Sequence, residues 1–306
     1  MDAPPWSVTR ARTFQECRRR YYYRYHLAPR ARRPNPPAAA QDAGHVKDLV
    51  GLEAWAGNVV HQAIETVLNR WRAGRAFSED EAVAHAAGLL SRQFRDSRAF
   101  WSADGEAFPR RPPLLDLHVY GNGDLSRDRA SEIKRRVVES VREFMRSELA
   151  RRIQEAGPSR WLPVDRNASA RLEDGLHVLV KPDFAFREGG LLHVIDWKTG
   201  RPDPFWEVVQ LTCYALYAAE KWSQPLDGIV PQIVYLHPEF RFSRTPHSLE
   251  SIAEVKRFIR ESQDEILSHL SSEGAADEER FSFSEEPRLC RWCPFRGLCD
   301  GASREP

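Results

Sequence analysis

Residues 178–214, VLVKPDFAFREGGLLHVIDWKTGRPDPFWEVVQLTCY, leave a chain of this kind few ways to fold. Val178 and Val180, then Phe184 and Phe186, place apolar side chains at a period of two. Gly189-Gly190 turns the chain, and LLHVID reads as a second, more fully buried strand. Asp183 then sits in the first strand and Asp196 at the end of the second. Lys198 follows two residues later, so alternation puts Asp196 and Lys198 on one side of the strand and Trp197 on the other. Two carboxylates and an ammonium converging at the mouth of a hairpin are costly without compensation. A divalent cation held by the carboxylates, with the lysine near an attacking water, is the compensation the pattern calls for.

Pro182-Asp183 followed by Asp196-Trp197-Lys198 resembles the signature of PD-(D/E)xK nucleases. Gln210 and Tyr214, one turn apart on the next helix and facing the same way, resemble the QxxxY motif of their RecB-like branch. Gly57 and His61 resemble the GxxxH motif of the same branch, whose histidine ligates the metal. Glu65, one turn later, shares that face and could orient the imidazole or bind a second ion. The resemblance implies an α/β, restriction-endonuclease-like fold: a mixed β-sheet core flanked by helices, with a helical N-terminal part. It also implies a catalytic set of His61, Asp183, Asp196, Lys198, Gln210 and Tyr214. Mg2+ or Mn2+ would be held by His61, Asp183, Asp196 and the backbone carbonyl of Trp197.

Five cysteines are present, and three of them form CRWCPFRGLC at Cys290, Cys293 and Cys299. Such spacing lets thiolates converge on one metal centre. Cys213 lies among apolar helix residues and reads as an inert core thiol, which leaves Cys17 as a fourth ligand. Four thiolates could hold zinc or an iron–sulfur centre. CRRRYYYRY resembles the stretch that opens AddB-like and CRISPR-associated adaptation nucleases, with Arg18 where proline is usual. That resemblance implies a [4Fe-4S] cluster on Cys17, Cys290, Cys293 and Cys299, an iron–sulfur staple joining the termini.

The rest of the chain is read from periodicity and punctuation. Residues 1–8 form an extended arm, and Thr9 caps a helix through FQECRRRYYYRYHL that stops before Pro29. Residues 30–42 are a Pro/Ala/Arg-rich loop. Trp55, Val59, Ile64, Val67 and Leu68 then mark an amphipathic helix, and Ser78 with Glu81 makes a capping box for another. Prolines and glycines make residues 100–127 an irregular insertion. SRDRASEIKRRVVESVREFMRSELARRIQEAG is a single long amphipathic helix. Strands are expected over 161–168, 176–186, 191–196, 229–236 and 240–244, and a final helix over 251–270. A helix over 204–222, capped by Asp203 with Pro204 in its first turn, joins two strands that are therefore parallel. The organisation expected is one nuclease domain over 1–306. It has a mainly helical portion at 43–155, a nuclease core at 160–270, and the staple at 1–28 and 287–300.

Formal net charge is only +1, which gives no global argument for nucleic acid, but residues 10–33 are basic and laced with tyrosines. Arg18 to Arg24 are expected to contact phosphates. No apolar run approaches the roughly 20 residues that cross a membrane, and the N-terminus lacks an apolar signal region, so a cytoplasmic chain is expected. No Walker A motif occurs, so a helicase or other DNA-processing partner would be a separate protein. The resulting expectation is a Mg/Mn-dependent exonuclease on single-stranded DNA or DNA ends, serving repair, recombination or antiviral defence. The competing expectation is a catalytically silent iron–sulfur DNA-binding or scaffold subunit.

Overall fold

The computed structural model describes residues 4–102, 111–121, 123–165, 168–244 and 248–301. Helices α1 (Val8–Glu16), α2 (Arg18–Tyr22) and α3 (Ala38–Val46) lead through strand β1 (Leu49–Val50) to two long helices, α4 (Leu52–Arg72) and α5 (Glu79–Ser102). Strand β2 (Leu114–Leu115) and helices α6 (Asp116–Tyr120), α7 (Arg127–Arg146) and α8 (Glu148–Ala156) follow. Strands β3 (Ala168–Arg171), β4 (His177–Val180), β5 (Phe184–Glu188) and β6 (Leu191–Lys198) come next. Helix α9 (Pro204–Trp222) crosses to β7 (Ile229–Tyr235), before β8 (Arg241–Arg244) and α10 (Leu249–Ser268).

The central sheet has four strands in the order β5-β6-β7-β8. Gly189 and Gly190, at φ of 57° and 81°, make the β5–β6 turn in a conformation open to glycine. β6 is antiparallel to β5 and parallel to β7, with Lys198 level with Tyr235, and β8 closes the sheet antiparallel to β7. The parallel pair follows from the α9 crossover, whose N-terminus Asp203 caps by accepting from the Trp206 N–H. Alternation along β6 sends Leu192 and Val194 to the α9 face, where they pack with Val209, Leu211 and Ile233. Ile195 and Trp197 go to the opposite face with Val59, Val141, Phe144 and Val234 from α4, α7 and β7. Each such side chain stabilises the fold by roughly 1.5–3 kcal/mol on full burial. The mixed sheet flanked by helices is the restriction-endonuclease-like arrangement expected.

Several local expectations are corrected. Residues 176–186 are not one strand: β4 pairs with β3, β5 pairs with β6, and Asp183 occupies the bend between them. Pro182 has no N–H for a ladder, which favours that break. The extended arm is docked, since Trp6 bridges Val178, and its indole donates to Ser262 at 2.9 Å. The first helix starts under a Ser7 cap and breaks at Cys17, which is extended at φ −164° and caps α2 through its thiol. The long amphipathic helix likewise divides at Ser147, whose hydroxyl caps α8. Within the expected loop at 30–42, α3 begins at Ala38. Of the expected strand at 161–168, Trp161 makes one bridge to Phe186, and residues 166–167 lie outside the described residues. The insertion at 100–127 holds the end of α5, β2 and α6, while 103–110 and 122 lie outside the described residues.

The largest correction concerns the termini. Among the described residues no group of three or more His, Cys, Asp or Glu side chains is placed to hold a metal ion. That overturns the [4Fe-4S] cluster expected on Cys17, Cys290, Cys293 and Cys299, its zinc alternative, and the iron–sulfur staple. The four cysteines do line one cavity. Burial lifts the Cys293 thiol to about 11 and raises Cys299 as well. Cys213, buried in α9 with its thiol raised to about 12, is the inert core residue expected.

An aromatic cluster ties the two ends of the chain instead. Phe281, fully buried, lies 5.4 Å from the Tyr22 ring and 6.3 Å from Tyr21, and Phe295 lies 5.5 Å from Tyr23. The basic residues of that segment are also structural. Arg18 pairs with Glu265 at 2.7 Å, and Arg19 with Glu278 at 2.6 Å and the Phe281 carbonyl at 2.8 Å. Arg20 pairs with Glu16 at 3.1 Å, and Arg24 donates to the Lys47 carbonyl at 2.8 Å. The tyrosines at 21, 22 and 23 are buried, so this segment is not an open phosphate- and base-binding face.

Candidate active site

Three elements meet at the ends of β5 and β6. Helix α4 reaches them because Gly57 has no side chain: a Cβ there would stand 3.1 Å from the Thr199 hydroxyl, just beyond the end of β6. One turn on, His61 Nδ1 lies 3.0 Å from Asp183 Oδ1. Gly57→Val is therefore expected to push α4 from the sheet and cost about 1–3 kcal/mol, the usual penalty of overpacking. A Gly57→Val melting temperature equal to wild type would show that the close approach is not required.

Asp183 is held from three sides. Its own N–H donates to the Ile195 carbonyl at 2.9 Å, and its Oδ2 accepts from the Trp197 N–H at 2.8 Å. The Trp197 indole is buried on the far face, 5.1 Å from the Phe144 ring. Alternation along β6 works as expected: Lys198 Nζ sits 2.6 Å from Asp196 Oδ2. Asp196 Oδ1 accepts from Gln210 Nε2 at 3.0 Å and lies 2.8 Å from the Tyr214 hydroxyl. Gln210 and Tyr214 stand 2.6 Å apart, and the same hydroxyl lies 3.0 Å from the Lys181 carbonyl. All six expected catalytic residues are thus brought together.

Burial sets the electrostatics. It opposes ionisation of Asp196, and the nearby Asp183 charge adds to the upward shift, while Lys198 and His61 offset part of it. Burial disfavours protonated His61, but the charge and hydrogen bond of Asp183 outweigh it and raise its pKa. Burial and the two carboxylates keep the Tyr214 phenol protonated, as a donor. Apart from its ion pair with Lys198, Asp196 Oδ2 is buried with no hydrogen-bond partner among the described residues.

The Mg2+ or Mn2+ site expected on His61, Asp183, Asp196 and the Trp197 carbonyl is corrected on the same finding as the cluster. In this arrangement Asp183 is engaged by His61 and the Trp197 N–H, and Asp196 by Lys198, Gln210 and Tyr214. Glu65 is exposed and makes no hydrogen bond or ion pair among the described residues. Sequence reasoning missed three neighbours. The Lys181 carbonyl and Thr199 flank the motifs directly, so their positions were a usable signal. Arg136, which reaches the Thr199 carbonyl from α7, had none: it is one arginine among several on that helix.

A sequence model of the PD-(D/E)XK nuclease superfamily matches residues 5–300. The chain belongs to that superfamily. No match to a curated protein was found. Membership in the PD-(D/E)XK nuclease superfamily supports a nuclease function, and with it an interaction with nucleic acid. It replaces the narrower iron–sulfur, AddB-like and adaptation-nuclease resemblance, which fails with the cluster. No helix among the described residues is long and apolar enough to cross a membrane.

Proposed function

We propose that this PD-(D/E)XK nuclease hydrolyses phosphodiester bonds in DNA, acting as an exonuclease on single strands or free ends, with residues 1–306 working as one nuclease domain. The observation that carries the reading is the buried Asp196 carboxylate, held by Gln210 and Tyr214 on one oxygen and by Lys198 on the other. A carboxylate fixed from one side keeps the lysine ammonium at the edge of the site, where Lys198 is more than a third exposed. There the ammonium can stabilise charge that develops on a phosphoryl oxygen and orient an attacking water. His61 and Asp183 form a second proton-sharing pair beside it. Gln210 and Tyr214 act by positioning Asp196.

The test is cleavage of end-labelled single-stranded, duplex and circular DNA by the full chain, with and without divalent cations in the buffer. A ladder growing from one end of linear DNA only is the expected result. Cutting of circles would replace exonuclease by endonuclease action, and cutting of none of the three under any condition would overturn the nuclease reading in favour of a binding or scaffold role.

A further inference from the structure

The carboxyl ends of β6 and β7 open onto a cavity of about 690 Å³. Open α/β sheets bind ligands outside the carboxyl ends of their strands, and a volume of roughly 300–1,000 Å³ suits a nucleotide-sized group. This cavity lies at the end of the strand that carries the acid–lysine pair, since Thr199, next to Lys198, lines it and Tyr235 in its wall is level with Lys198 across the parallel strands. Its charged lining is Arg136, Arg201 and Arg241 against Glu53 and Glu239, while His237 is kept neutral by burial and the nearby Arg136 charge.

The positive charges are in excess. Glu53 is already paired with both Arg129 and Arg136. Arg136 also donates to the Thr199 carbonyl, and its Nε is buried with no partner among the described residues. Arg241 is exposed and lies over the Tyr235 ring, 4.1 Å from its centroid. Arg201, in the loop after β6, is exposed and makes no hydrogen bond or ion pair among the described residues. Converging guanidinium groups repel one another unless an anion joins them, and their planar forks match phosphate oxygens. Tyr235, the aromatic residue of the wall, has its face covered by Arg241, so the wall offers phosphate contacts rather than a slot for a stacked base.

We propose that this cavity holds the sugar-phosphate backbone of the nucleic-acid strand beside the bond being cut. Arg201 and Arg241 contact its phosphates, and Arg136 is a positioning residue that fixes Thr199 at the end of β6. The proposal rests on the nuclease reading above.

The experiment measures binding of a labelled single-stranded oligonucleotide to the full chain in chelator across a salt series, together with kcat and KM for its cleavage. Arg201→Ala and Arg241→Ala are each expected to weaken binding about tenfold, the usual scale for losing one charged hydrogen bond. Each is expected to flatten the slope of log K against log salt by about 0.7, raising KM with kcat unchanged. Arg201→Lys and Arg241→Lys should restore the slope, because they keep the charge; the lysine variant also keeps position 241 testable should Arg241→Ala not fold. Arg288→Ala, on the exposed C-terminal segment, is the control expected to change nothing.

A double alanine variant with wild-type affinity, slope and KM, from a wild type that cuts, would overturn this proposal alone. Full displacement of the oligonucleotide by an equal phosphate concentration of a mononucleotide would also overturn it, by making the cavity a nucleotide site. If wild type neither binds nor cuts the oligonucleotide, the nuclease reading fails first, and this proposal with it.

Discussion

Asp196→Ala is expected to lower kcat/KM for DNA cleavage by on the order of 10³ or more while leaving the melting temperature close to wild type. The rate effect follows from what the carboxylate does. It sits almost fully buried, with Lys198 at 2.6 Å, Gln210 at 3.0 Å and Tyr214 at 2.8 Å. Without it no partner among the described residues fixes the ammonium at the site, and positioned charge or proton transfer in a catalytic centre contributes roughly 10²–10⁴-fold.

The stability effect is small for two reasons. Burial raises the pKa of Asp196, which means its ionised form is costly in the fold, so its removal relieves that cost. The groups left behind also keep partners. Gln210 and Tyr214 remain 2.6 Å apart, Tyr214 still reaches the Lys181 carbonyl at 3.0 Å, and Lys198 can turn to solvent. Asp196→Asn should behave alike in rate, because it keeps the shape but not the charge. Initial rates on end-labelled single strands, paired with thermal melts, check both halves. A folded Asp196→Ala retaining more than about a tenth of wild-type rate would remove Asp196 from the chemistry, since that loss is below the range expected of a catalytic group.

Two pairs of motif residues were legible because the feature that brings each pair together is local in sequence. A period of two fixed which side of β6 Asp196 and Lys198 share, and a spacing of four fixed Gln210 and Tyr214 on one face of α9. Their convergence with His61 was legible only through resemblance, because the 122 residues separating His61 from Asp183 leave no periodic trace. The register between β6 and β7, which places Tyr235 beside Lys198, is a long-range choice that neither strand announces.

The misreadings have equally physical origins. The basic-aromatic run at 18–24 is amphipathic in an unobvious way: the tyrosines at 21, 22 and 23 face a core, Arg20 pairs with Glu16 one turn away, and Arg18, Arg19 and Arg24 are held by acids and carbonyls from other segments. Composition cannot distinguish that from an exposed phosphate-binding face, since both need the same residue types. The cysteines misled similarly. Spacing brings thiols to one cavity, but whether they form a metal site depends on geometry that spacing does not encode. Breaks at Cys17 and Ser147 were invisible to a periodicity that counts apolar faces, because both residues act as caps through side chains whose alternative inside a helix is unremarkable.

Phe281→Ala is expected to cost about 3–5 kcal/mol, the scale for emptying a buried aromatic site. Its ring is fully enclosed by groups from three parts of the chain: Tyr21, Tyr22 and His26 from the N-terminal segment, His269 from the end of α10, and its own C-terminal segment. The cavity would therefore lie between segments some 250 residues apart, which no local helix can close by relaxing. Since domains of this kind are stable by only roughly 5–15 kcal/mol, the loss is a large share of the whole. A fall in the urea midpoint with an unchanged denaturant slope is the expected signature, because the same surface is exposed on unfolding. Phe205→Ala is the contrast: that ring is 51% exposed and should cost well under half as much. Equal small effects from both would mean that the aromatic cluster does not join the termini. The consequence reaches the active site, because α1 belongs to the segment held by Phe281 and also walls the site. Thr9 and Arg12 share a cavity with Lys198 and Gln210, and Arg12 reaches Asp203 at the start of α9 across 3.2 Å. Loosening the cluster should thus release α1 from α9 before the sheet melts, so cleavage in a urea series should fall ahead of the main unfolding transition in Phe281→Ala and together with it in wild type.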